Sequence, residues 1–318
     1  MSAPVILRPN YGDLFGPDML PVLEEIFQTE FERHPDRWSQ LFQVKSTDRD
    51  IWQSSEVHDM PLFKEVPEGT DFSFERQKQG ANKTFEVKKY GLGFSISMEA
   101  VEDGKFDFIA DGVRKLGSSA AESREIQSMN VINNGFTSET TADGAALFST
   151  AHTLPSGGTY RNRLSVDADL STTSLEQMLT DYETQFVGDS GIIKNIRPRI
   201  LLVHPSNKRL AKELIGSDLK ADTETFGTDG ITNINNMNSF RDEGLRVVSS
   251  PHLTDQDAWY LMSEPMNNGL RVISRSGVET IAAGQDAGFV NDSILYKSRY
   301  RWEVGAIHGY GVFGTTGA

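Results

Sequence analysis

The chain has no cysteine among its 318 residues. This excludes disulfides, thiolate catalysis and cysteine-ligated zinc, and it agrees with a reducing compartment. Histidine is sparse: the six, at 34, 58, 152, 204, 252 and 308, are scattered and form no HExxH or similar metal spacing, so no metal is expected. No apolar run approaches the roughly 20 residues of a membrane-spanning helix. The opening residues MSAPVILRPNYGDLFGP lack the basic stretch, apolar run and cleavage site of a secretory signal, so neither membrane insertion nor export is expected. Positive charge is in deficit, 31 Lys and Arg against 45 Asp and Glu, a net −14. That argues against a protein whose main task is gripping phosphate backbones, although an acidic chain can still enclose DNA without holding it.

Catalytic signatures are also missing. LFSTAH, 147 to 152, puts Ser149 three residues before His152, but no GxSxG surrounds the serine, and neither an orienting acid nor an oxyanion hole is apparent. SGGTYRNR around Gly157 and Gly158 is no phosphate loop, since neither GxxxxGK[ST] nor GxGxxG follows a strand. The acid pairs Glu24-Glu25, Glu102-Asp103 and Asp242-Glu243 are adjacent in sequence and read as solvated surface. The acidic and amide residues between 222 and 242 lack calcium-loop spacing. Arg161, Arg163, Lys208, Arg209 and Lys212 read as ordinary helix and loop charge. No enzyme activity and no cofactor are expected.

What is present is architectural. With 37% hydrophobic residues, 24% charged and 28 glycines, the chain reads as globular and long enough for one large domain or two. MLPVLEEIFQTEFERH sets Leu20, Leu23, Phe27 and Phe31 at helical spacing, in an otherwise irregular arm broken by prolines. The stripe fits packing on its own chain as well as reaching another subunit. From about 62 to 97 the period becomes two: Phe72 and Phe74, then Phe85 and Val87, with QGAN at 79 to 82 as a turn, predict a long charged hairpin. Such a ribbon is marginal alone and must lie on something. Ser97 is placed to cap a short helix, MEAVED. A long helix then carries Ile109, Val113, Leu116, Ala120, Ile126, Met129 and Ile132 up to the Asn134-Gly135 stop.

Residues 138 to 168 read as loop. TSLEQMLTDYETQF follows as a helix capped by Thr173 or Ser174, then RILLVHP as a buried strand and SNKRLAKELI as a helix capped by Ser206. A polar loop over 216 to 240 precedes strand candidates LRVVSSPHL, AWYLMSE, LRVISRS and VETIAAG, and two strands are expected in DSILYKSRYRWEVGAIHGYGVFG. The body is α/β or α+β.

The order and spacing of these elements resemble the major capsid proteins of tailed bacteriophages with the Hong Kong 97 fold, and within them the Mu-type major head subunits. TFEVKKYGLGFSISMEAVEDGKFDFI is similar to the family's return strand and spine entry, DGAALFSTAH to the segment after its spine helix, RPRILLVHPSNKRLAKELI to its apical strand and helix, and DAWYLMSEPMNNGLRV to a later apical pair. The resemblance implies an α+β Hong Kong 97-like fold: N-terminal arm 1–55, extended β-hairpin loop 56–97, peripheral domain with spine helix 98–139, apical domain 140–290 and peripheral closing strands 291–318.

The function it implies is a virion shell of pentamers and hexamers around double-stranded DNA, assembled in the host cytoplasm. A scaffolding protein encoded separately, a portal and a cement protein are the expected partners. Glu75, Arg76, Lys78, Lys83, Glu86 and Lys88 are the expected inter-subunit contacts, and Leu147, Phe148, Ser149 and His152 the structural loop. An encapsulin-like nanocompartment shell, or a hydrolase using Ser149 and His152, are the alternatives.

Overall fold

The computed structural model describes residues 19–57, 59–72, 74, 79–97, 99–100, 103, 106–217, 238–283 and 293–318. The N-terminal part of the arm, the side chain of Leu20, half of the MEAVED segment and most of the polar loop before 240 lie outside them.

The first amphipathic stretch forms helix α1 (Met19–Arg33), and the long stripe forms α2 (Phe106–Asn133). Leu23 and Phe27 of α1 are buried with Ile109, Val113 and Leu116 of α2 in one cluster. The stripe of α1 therefore finds its partner within its own chain. Contact is close at Gly117, where a Cβ would stand 2.8 Å from the carbonyl oxygen of Phe27, so a glycine in mid-helix here serves packing rather than turning. One expected core position departs. Ile126 is exposed, while Glu125, four residues before Met129 and on the same helical face as it, is buried. Glu125 accepts a hydrogen bond from the Trp38 backbone N–H at 3.2 Å, with Arg37 4.0 Å away. Burial, opposed by these two groups, raises its pKa above the usual carboxylate value.

Two four-stranded sheets carry the rest. The first orders β1 (Gln43–Ser46), β10 (Leu270–Ala283), β11 (Ser293–Ala306) and β4 (Lys88–Ser97), with β1 parallel to β10 and the other pairs antiparallel. LRVISRS and VETIAAG are thus one strand, β10, with irregular register between Ser274 and Glu279. α2 lies against this sheet. Trp302 of β11 meets Trp38 edge-on at 5.4 Å, and the Arg124 guanidinium lies 4.7 Å from each of the two rings.

The second sheet orders β12 (Val312–Thr315), β9 (Trp259–Met262), β7 (Ile200–Val203) and β8 (Arg246–Ser249). β7, the ILLV run, is buried at every residue, as a strand covered on both faces must be. α3 (Thr172–Gln185) and α4 (Lys208–Gly216) flank it. Ser171, rather than Thr173 or Ser174, is the N-cap of α3, and Ser174 completes a capping box. Ser206 does not cap α4; it sits in a short 3-10 turn, its N–H held by His204.

These sheets cross the expected domain boundaries. β10 falls within 140–290 but pairs with β1 and β11, and β12, beyond 291, completes the β7–β9 sheet. Strand partners are chosen by register and buried faces over hundreds of residues, which local pattern does not encode.

Candidate assembly surface

A separate two-stranded ribbon pairs β2 (Ile51–Val57) with β3 (Gln79–Glu86), Trp52 opposite Phe85. The charged hairpin is therefore displaced from its expected form. QGAN is not a turn but the start of β3, and Phe72 and Phe74 lie in irregular chain rather than in a strand. The physical reason is burial: Phe85 is inside, packed 5.5 Å from Trp52 and clustered with Ile273 and Ile307, and this anchor sets the ribbon's register.

The chain between β2 and β3 carries a run of outward-facing apolar side chains. Phe63 and Phe74 are 106% and 91% exposed, and Met60, Leu62 and Phe72 are exposed as well. Single exposed apolar residues are ordinary, but a concentration of large ones along one segment marks an interaction surface. Only periodicity was legible here, and it pointed to a strand. That these phenylalanines stand free is a tertiary fact.

Of the charged contact candidates, Glu75, Arg76 and Lys78 lie outside the described residues. Glu86 is exposed at the end of β3, opposite Ile51. Lys83 lies 3.6 Å from Glu139 and donates to the Thr140 carbonyl, and Lys88 reaches Glu303 at 3.1 Å. Both lysines thus hold carboxylates of their own chain. Burial raises the pKa of Glu139 and Glu303 above the usual range, against the pull of the lysines, while the hydrogen bond that Lys88 donates to Glu303 raises its own.

In the loop after α2, Leu147 and Phe148 are fully buried. The Phe148 ring packs 4.8 Å from Phe136 and 5.1 Å from Tyr260. Ser149 Oγ accepts from the Ala151 N–H at 3.1 Å, a local turn bond. His152, buried in the short strand β5 (His152–Thr153), pairs across to β6 (Thr159–Tyr160) and stacks 4.7 Å from the Tyr160 ring.

An acid does orient this histidine, contrary to expectation: Asp143 Oδ2 is 2.9 Å from Nδ1. The nucleophile side is where the triad fails. Asn162 Nδ2 donates to the carbonyls of Leu147 at 2.6 Å and Gly309 at 3.1 Å, which leaves its Oδ1 to accept from Ser149 N at 2.8 Å and from His152 Nε2 at 3.1 Å. Both ring nitrogens are thus engaged, Nδ1 with Asp143 and Nε2 with Asn162, and none of the described hydrogen bonds joins His152 to Ser149 Oγ. Burial pushes the Asp143 carboxyl up, but the hydrogen bonds from His152 and Thr141, the His152 charge and the Ala145 N–H together hold it below the usual range. Asp143 and Asn162 sit in loop sequence of ordinary composition, where no pattern singles them out.

Among the described residues no group of three His, Asp or Glu stands ready to hold a metal, and no helix is long and apolar enough to cross a membrane.

A long helix laid on a sheet, a ribbon with an unburied apolar segment, and a second sheet flanked by helices define a shell-forming architecture, the Hong Kong 97-like fold. The chain belongs to the phage capsid protein family, whose model matches residues 81–313, and its role is that of a major capsid protein. Three solved structures illustrate the fold. The capsid protein of the cyanophage P-SCSP1u aligns with a TM-score of 0.58 at 10% identity, over 90% of this chain and 89% of the other. The virus-like particle from Pyrococcus furiosus gives 0.57 at 10% identity over 94% and 99%, and the mature capsid of bacteriophage PhiM1 gives 0.53 at 14% over 88% and 86%. No curated protein matches the chain.

Proposed function

We propose that this subunit assembles with copies of itself into pentamers and hexamers of an icosahedral phage head around double-stranded DNA, in the host cytoplasm. The observation that carries this reading is the exposed apolar segment on residues 60–74: Leu62, Phe63, Phe72 and Phe74 have no place in the subunit's own core, and a neighbouring subunit in a closed shell supplies one. Glu75, Arg76, Lys78 and Glu86 then flank the contact, while Lys83 and Lys88 stiffen the ribbon's base. The net charge of −14 suits a wall that encloses DNA without sequence-specific binding. The subunit acts without catalysis. A scaffolding protein, a portal and a cement protein complete the assembly, and the order of motifs favours the Mu-type head subunits.

The test replaces Leu62, Phe63, Phe72 and Phe74 together by serine. The variant is expected to remain folded by circular dichroism yet fail to close shells in negative-stain microscopy. Shells formed at the wild-type yield would refute the role of the segment, and a wild-type chain that stays monomeric under all assembly conditions would refute the reading as a whole. Particles that copurify with a protein cargo rather than DNA would point to a nanocompartment.

A further inference from the structure

One cavity lies outside the loop and the ribbon's exposed segment. It measures about 470 Å³ and opens where β1, β2, the 194–196 segment and the chain after β11 converge. Three cations line it, Lys45, Lys194 and Arg271. Their convergence follows from the sheet. Gln43 and Arg271 are register partners in parallel strands, and Lys45, two residues on from Gln43, projects from the same face.

The charges are not equally neutralised. Lys194 lies 3.2 Å from Asp59 and 3.9 Å from the Tyr310 ring centroid. Among the described residues Lys45 and Arg271 have no carboxylate within ion-pair distance. Arg271 is half-buried and braced: its Nη1 donates to the carbonyls of Asn268 at 2.7 Å and Leu270 at 2.8 Å, and no described hydrogen bond uses Nε or Nη2. Burial is the one influence lowering its pKa. A guanidinium withdrawn from water with no counter-charge is costly, and an anion arriving beside it recovers that cost.

His308, also on the wall, senses the same field. Its Nδ1 is buried without a partner among the described residues, and burial first, then the charges of Arg271, Lys194 and His152, push its pKa down to about 3.

We infer that this cavity binds a small phosphate-bearing molecule, its phosphate held by Arg271 and Lys45 and its remainder lying against Trp52 and Ile307. Two uncompensated positive charges match a phosphate dianion better than a single carboxylate. Ser54 and Ser55 add hydroxyls, and the volume falls within the range of about 300–1,000 Å³ typical of small-ligand sites.

The experiment titrates the purified chain with pyrophosphate, with AMP and with glutamate at matched ionic strength, by calorimetry and thermal melting. Pyrophosphate or AMP is expected to bind saturably, one per chain, and to raise the melting temperature. Tighter binding of AMP would assign the apolar wall to an organic moiety; tighter binding of pyrophosphate would assign the site to an inorganic anion. Both Arg271→Gln and Lys45→Gln should weaken binding at least tenfold. Because Arg271 also braces two carbonyls, Lys45→Gln, at an exposed position, decides the matter if the other variant is unstable. Absence of saturable binding, equal affinity in Lys45→Gln, or glutamate binding as tightly as pyrophosphate would overturn the inference. A short DNA duplex that binds when neither small phosphate does would overturn it too.

Discussion

Replacing Phe148 by alanine separates a structural loop from a catalytic one. The ring is 1% exposed and packs against Phe136 and Tyr260. It also fills space left by two glycines: a Cβ at Gly135 would stand 2.7 Å from the ring and one at Gly314 2.9 Å from it. With backbone on both sides the site cannot collapse around a smaller residue, so the cavity term adds to the lost transfer energy and places Phe148→Ala toward the upper part of about 3–5 kcal/mol. That is a large share of a domain's net stability, roughly 5–15 kcal/mol. Ser149→Ala removes one hydroxyl bonded to the backbone of Ala151, worth about 1 kcal/mol or less.

Urea unfolding of the unassembled subunit, followed by circular dichroism, measures both. Should Phe148→Ala be too unstable to purify, Phe148→Leu gives a graded version at roughly 1–2 kcal/mol. The reasoning is refuted if Ser149→Ala costs as much as Phe148→Ala. It is refuted equally if a fluorophosphonate probe labels Ser149 in the wild type, because a reactive serine requires a histidine nitrogen within its reach, and those of His152 are engaged with Asp143 and Asn162.

Two further outcomes follow from the same contacts. Asp143 has a folded pKa that, against burial, is lowered by its hydrogen bonds from His152 and Thr141, so its contribution to stability is present above the unfolded carboxylate value, about 4, and disappears as pH falls through the folded value. Asp143→Asn should cost about 2 kcal/mol at neutral pH and flatten the acid limb of the stability profile, and an acid limb parallel to wild type would count against the network. Arg124→Met keeps the apolar stem between Trp38 and Trp302 but loses the cation. The expected loss is about 1–2 kcal/mol, with a change in tryptophan emission, and unchanged stability would show that the stacked guanidinium contributes nothing.

Much of this protein was legible from periodicity. The stripe from Leu23 to Phe27, the face from Ile109 to Ile132 and the ILLV run each announce their element, because burial on one side of a helix or on both sides of a strand constrains residue type at fixed intervals. Composition alone set aside disulfides, thiolate chemistry and cysteine zinc sites. The ordered set of segments was enough to suggest the family.

Other features were decided only in three dimensions. QGAN has the composition of a turn, yet its position opposite β2 makes it strand, since a cross-strand pair such as Trp52 with Phe85 outweighs local preference. Asp143, His152 and Asn162 come from two loop positions and the short strand β5, and their convergence depends on where β5, β6 and the chain after β11 are held. β12 closes a sheet begun more than a hundred residues earlier. Local pattern reports which faces must be buried, whereas the partner that buries them is a long-range choice. For Leu62, Phe63, Phe72 and Phe74, all exposed, none of the described residues is that partner.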